Sequence, residues 1–462
     1  MVGTAPSLRR PWRSNHNMLK RQRIVWVLVA ALAACPLYAR GADGKGQDDA
    51  DARLARAVMY LASDELEGRR LGSAGLDLAA DYIAEQFKSA GLKTDLYEGT
   101  PFQKFIIRAV PSKSDSFNTD SAMRVASLAF SALGWEKGFD RVSAKNVVGL
   151  LEGDGPHADE TIVIGAHYDH LGHGGMGSLD PDSHEIHHGA DDNASGVSAL
   201  IEVARRLATR ETKLPRRVVF IAFTGEERGL YGSAHYARDP LVPLDQTIAM
   251  VNMDMVGRMV DDKLIVYGTD TASEWNKLLD GLSVEHPFKL TRHPEGYGPS
   301  DHTSFYAKRI PVLFFFTGTH RDYHRPTDTF DKINVEGMRR VTDLVTDAVV
   351  AIARMDHRPT YQDVGAPPEF AKSGNRPYFG SIPDFSQEQP GYVLMGVSKG
   401  GPAERAGIKA NDIIVRVGDY RVSNLEDFDT ALRKFKSGDR VTVLIKRGGE
   451  DLKFEVTLEP PK

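Results

Sequence analysis

Two kinds of apolar pattern alternate along the chain, and the alternation predicts its architecture. Residues 161–164, 218–223, 248–251 and 311–316 are continuous apolar runs. Runs of that kind read as strands buried on both faces, because a strand with one wet face alternates instead. Helical spacing appears elsewhere. Leu76, Ala79, Ala80, Ile83 and Phe87 share one helical face, with Gly91 behind them as a stop signal. Val197, Leu200, Ile201, Ala204 and Leu207 mark a second helix, starting near Ser195. Residues 275–282 predict an outer helix, and Met338, Val341, Val345 and Val349 a closing one. Residues 102–110 and 146–151 add two strands before the first apolar run, with a small excursion between them. The whole predicts an α/β fold: a mostly parallel, mixed central sheet with helices on both faces.

Both ends of the chain break this pattern. Arg9, Arg10, Arg13, Lys20, Arg21 and Arg23 precede an apolar run at residues 24–34 that is short for a membrane span. That is the pattern of a secretory signal peptide, with Met1 or Met18 as the start. Leu37-Tyr38-Ala39 fits ordinary cleavage, whereas Leu32-Ala33-Ala34-Cys35 resembles a bacterial lipobox, against which Pro36 counts. The expected product is exported, periplasmic or secreted, and attached to a membrane only if Cys35 is lipidated. Cys35 is the only cysteine, so the mature chain has no disulfide. Towards the other end, Pro359, Pro367 and Pro368 sit among small residues with no clear period, which reads as a linker. Behind it, short strands at 391–395, 440–445 and 452–458 and a helix at 425–434 predict a small β-rich domain. The expected division is a signal peptide and flexible lead-in at 1–50, a main domain at 51–356, a linker at 357–376 and a second domain at 377–462.

Composition changes little in this picture. The 462 residues carry a net charge of −5, which offers nothing to a nucleic-acid partner. The chemistry lies in five short polar runs. They are Ala166-His167-Tyr168-Asp169-His170, Gly189-Ala190-Asp191-Asp192-Asn193, Thr224-Gly225-Glu226-Glu227-Arg228, Asn252-Met253-Asp254 and Asp322-Tyr323-His324-Arg325. In parallel sheets ligands bind beyond the carboxyl ends of the strands, so these runs are expected to gather on one edge. His, Asp and Glu without Cys make a hydrolytic metal site, with zinc the first choice and manganese or cobalt sharing the same ligands. Two histidines and three carboxylates exceed the usual three protein ligands of one catalytic zinc. They suit two ions with a carboxylate between them. In the pair Glu226-Glu227, neighbours point different ways, so one carboxylate can bind metal while the other moves a proton.

This constellation, over residues 51–355, resembles the di-zinc exopeptidase family of bacterial secreted aminopeptidases, relatives of glutamate carboxypeptidase and glutaminyl cyclase. The resemblance implies two Zn²⁺ ions, one on His167 and Asp254 and the other on Glu227 and His324, bridged by Asp191. It implies that Glu226 is the general acid and base, that Asp169 orients His167, and that Tyr323 polarises the scissile carbonyl. It implies a cis peptide between Asp191 and Asp192. The activity implied is removal of N-terminal residues from peptides through a zinc-bound hydroxide. A carboxypeptidase or other amide hydrolase at the same site stays open, as does a peptide-binding scaffold. Residues 64–73 resemble a loop at the site mouth, with a plain surface turn equally open, and Ser300-Asp301-His302-Thr303 resembles a family segment before the last core strand. His170, His173, His184, His187 and His188 read as solvated loop.

The small domain is similar to PDZ domains of bacterial periplasmic proteases. Gly401-Pro402-Ala403, then Ala406-Gly407-Ile408, then Asn411-Asp412-Ile413 carry that resemblance. It implies that peptide C-termini are partners, held at Tyr378-Phe379-Gly380-Ser381 and added as a strand to a sheet edge.

Overall fold

The computed structural model describes residues 45–109, 140–175, 177–180, 182–364, 377–383, 390–397, 400–423 and 425–460. The signal segment, most of the excursion after residue 109 and most of the expected linker lie outside them.

One sheet of eight strands dominates. Its strands are β1 (Phe102–Ala109), β2 (Asp140–Leu151), β3 (Thr161–His167), β4 (Arg217–Phe223), β5 (Thr247–Met253), β6 (Lys263–Tyr267), β7 (Lys289–His293) and β8 (Val312–Phe316). They lie in the order β1-β2-β4-β3-β5-β8-β6-β7. The inner four, β4-β3-β5-β8, are mutually parallel, and β1, β2 and the contact of β6 with β8 are antiparallel. The sheet is therefore mixed and parallel at its centre, as the apolar runs predict. β6 and β7 are additions the runs did not signal.

Burial on both faces follows from strand period. In β4, Val218, Phe220 and Ala222 join the core under the long helices, while Val219, Ile221 and Phe223 join a second core on the other face. The first core is closed by helices Ala74–Ser89, Gly196–Ala208 and Val335–Ala353. Ser73 caps the first of these by accepting from Leu76 N–H, and Asn334 caps the last by accepting from Gly337 N–H. The helix Lys45–Leu61 starts earlier than the expected lead-in allows. From residue 50 on, Ala50, Leu54, Val58 and Leu61 share one buried face.

A separate six-stranded antiparallel sheet follows. It comprises β9 (Ser381–Pro383), β10 (Tyr392–Val397), β11 (Ile413–Val417), β12 (Tyr420–Arg421), β13 (Arg440–Arg447) and β14 (Glu450–Thr457). It has its own core, with Phe428 of the helix Leu425–Leu432 buried against Phe379 and Tyr392.

Candidate metal centre

Strand register brings the polar runs together. His167 ends β3 beside Phe223, the last residue of β4, and Met253 ends β5 beside Phe315 of β8. The residues just past these ends, Glu226, Glu227, Asp254 and the loop to His324, therefore leave the sheet on one edge. Asp192 reaches the same edge from the turn before helix Gly196–Ala208.

The shared carboxylate is Asp192, not Asp191. Asp192 Oδ1 lies 3.3 Å from His167 Nε2, and Asp192 Oδ2 lies 3.1 Å from His324 Nε2. His167 Nε2 is also 3.3 Å from Asp254 Oδ1, and His324 Nε2 is 3.1 Å from Glu227 Oε2. Asp191 is committed elsewhere. Its Oδ1 accepts from Gly257 N–H at 2.6 Å and from Ser195 Oγ at 2.9 Å, and its Oδ2 sits 3.2 Å from His320 Nε2. Asp328 Oδ2 accepts both the Asp191 and Asp192 amides, which fixes the turn so that Asp192 faces the site. The cis peptide likewise falls one residue later than expected, between Asp192 and Asn193.

Each imidazole is held by its other nitrogen. His167 Nδ1 lies 3.2 Å from the Asp169 carbonyl oxygen, closer than the Asp169 carboxylate at 3.8 Å. The orienting acceptor is thus the main chain of Asp169, while its Oδ1 accepts from Glu226 N–H. His324 Nδ1 donates to the Gly177 carbonyl, which leaves Nε2 facing Asp192 and Glu227. His324 has φ 52, and its loop is braced by Asp322, which accepts from Lys332, Thr327 and Arg258. Tyr323 stacks on His324 with ring centroids 3.8 Å apart and lines the same cavity. Met255, Phe314 and Phe316 make the cavity's apolar wall.

The donor set fits a metal. Ligands at ~2.0–2.1 Å from a tetrahedral zinc stand roughly 3.3–3.4 Å from one another, close to the four distances just given. Asp254 Oδ1 is buried and receives no well-aligned hydrogen bond among the described residues. Burial alone would keep the imidazoles neutral, yet the surrounding carboxylates, with Asp254 first for His167 and Glu227 first for His324, pull both well above the ordinary range. The pocket therefore favours positive charge, which a divalent cation supplies. Glu226 and Glu227 respond in opposite directions. Burial, reinforced by Glu227 and Asp254, pushes the Glu226 carboxyl well up. Glu227 is also buried, but His324 and a hydrogen bond from His170 hold it at about 2.

Sequence reasoning missed two residues here. In the sequence pattern Asp192 stands only as the neighbour of the bridge. His170 reads from sequence as solvated loop, but it is buried and its Nδ1 lies 2.7 Å from Glu227 Oε1. Ser300 gains a definite part as well: its Oγ donates to Asp254 Oδ2 at 2.7 Å. Arg69, from the expected mouth loop, is fully buried, and its guanidinium donates to the carbonyls of Leu61, Tyr168, His188 and Gly189. It ties the segment before Asp192 to the end of β3.

Comparison with known proteins agrees with this geometry. Residues 146–349 match the model of Peptidase family M28, and residues 383–458 match that of the PDZ domain. Aminopeptidase YwaD of Bacillus subtilis (strain 168) is 28% identical over 234 residues, covering 48% of this chain and 48% of its own length. A probable leucine aminopeptidase of Arthroderma otae is 26% identical over 205 residues, covering 42% and 55%. The chain spans about half the length of these curated relatives. The solved structure of an aminopeptidase from Aneurinibacillus sp. strain AM-1 shares the fold with a TM-score of 0.51 at 21% identity, over 69% of this chain and 97% of that one. BSAP, a zinc aminopeptidase from Bacillus subtilis, does so at 0.51 and 19%, over 68% and 98%. Residues 146–349 thus carry the pattern of Peptidase family M28, and the pattern of a PDZ domain follows them in sequence.

Proposed function

We propose that the chain is a zinc aminopeptidase that removes N-terminal residues from peptides. The observation that carries this reading is the division of Asp192, whose two carboxylate oxygens face different histidine–carboxylate pairs. His167 and Asp254 would hold one ion, His324 and Glu227 a second, with Asp192 shared. Bound there, the ions supply Lewis acidity, activating a water and polarising the scissile carbonyl. Glu226, the acidic side chain left free of both pairs, takes the water's proton and returns it to the leaving amine. The Tyr323 phenol, kept protonated by burial and by the neighbouring carboxylates, donates to the developing oxyanion. Met255, Phe314 and Phe316 receive the side chain of the N-terminal residue.

The test is a panel of amino-acid amides with free or acetylated amines, before and after chelation and zinc restoration. Zinc-dependent release confined to free amines is the expected result. Zinc-dependent cleavage that ignores the amine would make the enzyme a carboxypeptidase or another amidohydrolase.

Two further readings belong to this proposal. The small domain binds peptide C-termini. Gly380, at φ +79, turns the chain into β9, and β9 ends its sheet, so a peptide can add there along the helix Leu425–Leu432. Binding of a C-terminal peptide but not its amide would support this. Export rests on the basic and apolar pattern of residues 9–34, and the N-terminal sequence of the mature protein tests it.

A further inference from the structure

His170 has the surroundings of a residue built for a purpose. It follows β3 by three residues, and its ring is buried. Its main chain pairs with the Arg69–Arg70 segment, with His170 N–H donating to the Arg69 carbonyl. Its ring packs against Gly189, where a Cβ would stand 2.6 Å from ring carbons Cγ and Cδ2. Gly189 also has φ +57, so no side chain is accommodated there without moving the imidazole. Main chain on one side and glycine on the other leave the ring little freedom to turn.

The ring meets His324 edge-on, with centroids 5.8 Å apart, and makes one short hydrogen bond. Nδ1 lies 2.7 Å from Glu227 Oε1 and 3.8 Å from Asp192 Oδ2, while the buried Nε2 has no hydrogen-bond partner among the described residues. Nδ1 could in principle join Asp192 and Glu227 as a ligand. The spacing argues otherwise. The four ligand pairs of the site are 3.1–3.3 Å apart, whereas 2.7 Å is the length of a charge-assisted N–H···O⁻ bond. Glu227 thus has its two oxygens assigned: Oε1 to His170 and Oε2 to the side of His324.

We infer that His170 is a positioning residue for Glu227: its Nδ1–H holds Oε1, so that Glu227 presents only Oε2 to the ion it shares with His324 and Asp192. The inference rests on the metal reading above. It predicts an asymmetry, because His170 touches one half of the site and not the half made by His167 and Asp254.

The experiment is stepwise zinc binding to the full chain, by competition with a chromophoric chelator, for three proteins. The wild-type stoichiometry tests the metal reading by itself, so its failure is separable from that of the inference. His170→Leu removes the donor at similar size, and His170→Asn keeps an amide N–H near the position of Nδ1. With two equivalents bound by the wild type, His170→Leu should weaken one of them by about 10–100-fold and leave the other within about threefold. His170→Asn should recover most of the loss, which it would not do for a lost ligand, since an amide is a poor substitute for imidazole. Equal weakening of both equivalents, no weakening, or an asparagine variant no better than leucine would each overturn the inference. Near-ultraviolet circular dichroism of the apo proteins checks that each variant is folded, and if the leucine variant is not, His170→Ala supplies the donor-free comparison.

Discussion

The carboxylates of Glu226 and Glu227, adjacent in the chain, face opposite halves of the site. Glu226 Oε2 comes to 4.0 Å from His167 Nε2, while Glu227 Oε2 lies 3.1 Å from His324 Nε2. The strand β4 ends just before them, and Gly225, at φ +71, turns the chain so that consecutive side chains diverge. Their environments separate them further, raising one carboxyl and lowering the other. Such a pair suits the proposed division between proton transfer and ligation.

Glu226→Gln should therefore keep its metal and lose turnover. General acid–base catalysis contributes about 10²–10⁴-fold, so kcat should fall by that factor with KM changed little. Metal analysis of the purified variant and steady-state kinetics on a free-amine amide check both halves. Turnover within a few-fold of wild type would remove Glu226 from the mechanism.

The two aspartates of the turn should separate in the opposite sense from their order in the sequence-based expectation. Asp192→Asn takes charge from the oxygens shared by His167 and His324, so bound zinc should fall. Asp191→Asn leaves those oxygens alone but disturbs the buried contacts to Gly257, Ser195 and His320. It should cost about 1–3 kcal/mol of stability, the scale of a damaged buried polar contact, with more zinc retained than in Asp192→Asn. Metal content and urea unfolding of the two variants side by side decide the assignment.

That pair marks where the sequence stopped being legible. The four inner strands were readable because strands buried on both faces leave continuous apolar runs. β6 and β7 were not, since β6 is short and enters on exposed Lys263, and β7 mixes polar residues on a half-buried edge. His167, Glu226, Glu227, Asp254 and His324 could be named because each follows such a run or a distinctive polar motif. Asp191 and Asp192 are identical neighbours, and what distinguishes them is remote: Asp328 on their amides and Gly257 on the Asp191 carboxylate. His170 lay hidden among the histidines of its loop, because its partner Glu227 comes 57 residues later.

Tyr323→Phe tests the phenol without altering the stack on His324. Loss of one donor to a developing oxyanion typically costs about 10²–10³ in kcat, and Tyr323 should fall near the lower end if it shares that task with bound metal. Zinc content should be unchanged, because the phenol belongs to neither histidine–carboxylate pair. A kcat within about twofold of wild type would assign Tyr323 to packing alone.

Glu202 gives a prediction for stability instead of chemistry. It lies buried on helix Gly196–Ala208, accepts from Arg53 at 2.8 and 2.7 Å and from Arg206 at 3.0 Å, and so ties helix Lys45–Leu61 to the core. Burial by itself would raise its carboxyl, but the hydrogen bonds from Arg53 and Arg206 outweigh burial and hold it below the ordinary value. A depressed folded pKa means stability that is present above the unfolded value of about 4.3 and lost as pH falls through the folded one. Glu202→Gln should therefore be less stable than wild type by about 1–3 kcal/mol at pH 7. The gap should hold down to about pH 5 and narrow below about pH 4 as the wild-type carboxyl takes up a proton. Urea unfolding of both chains at pH 7, 5 and 3.5 measures it, and comparing the two cancels what acid does to the metal site. A gap of constant size at all three values would assign the loss to hydrogen-bond geometry and not to charge.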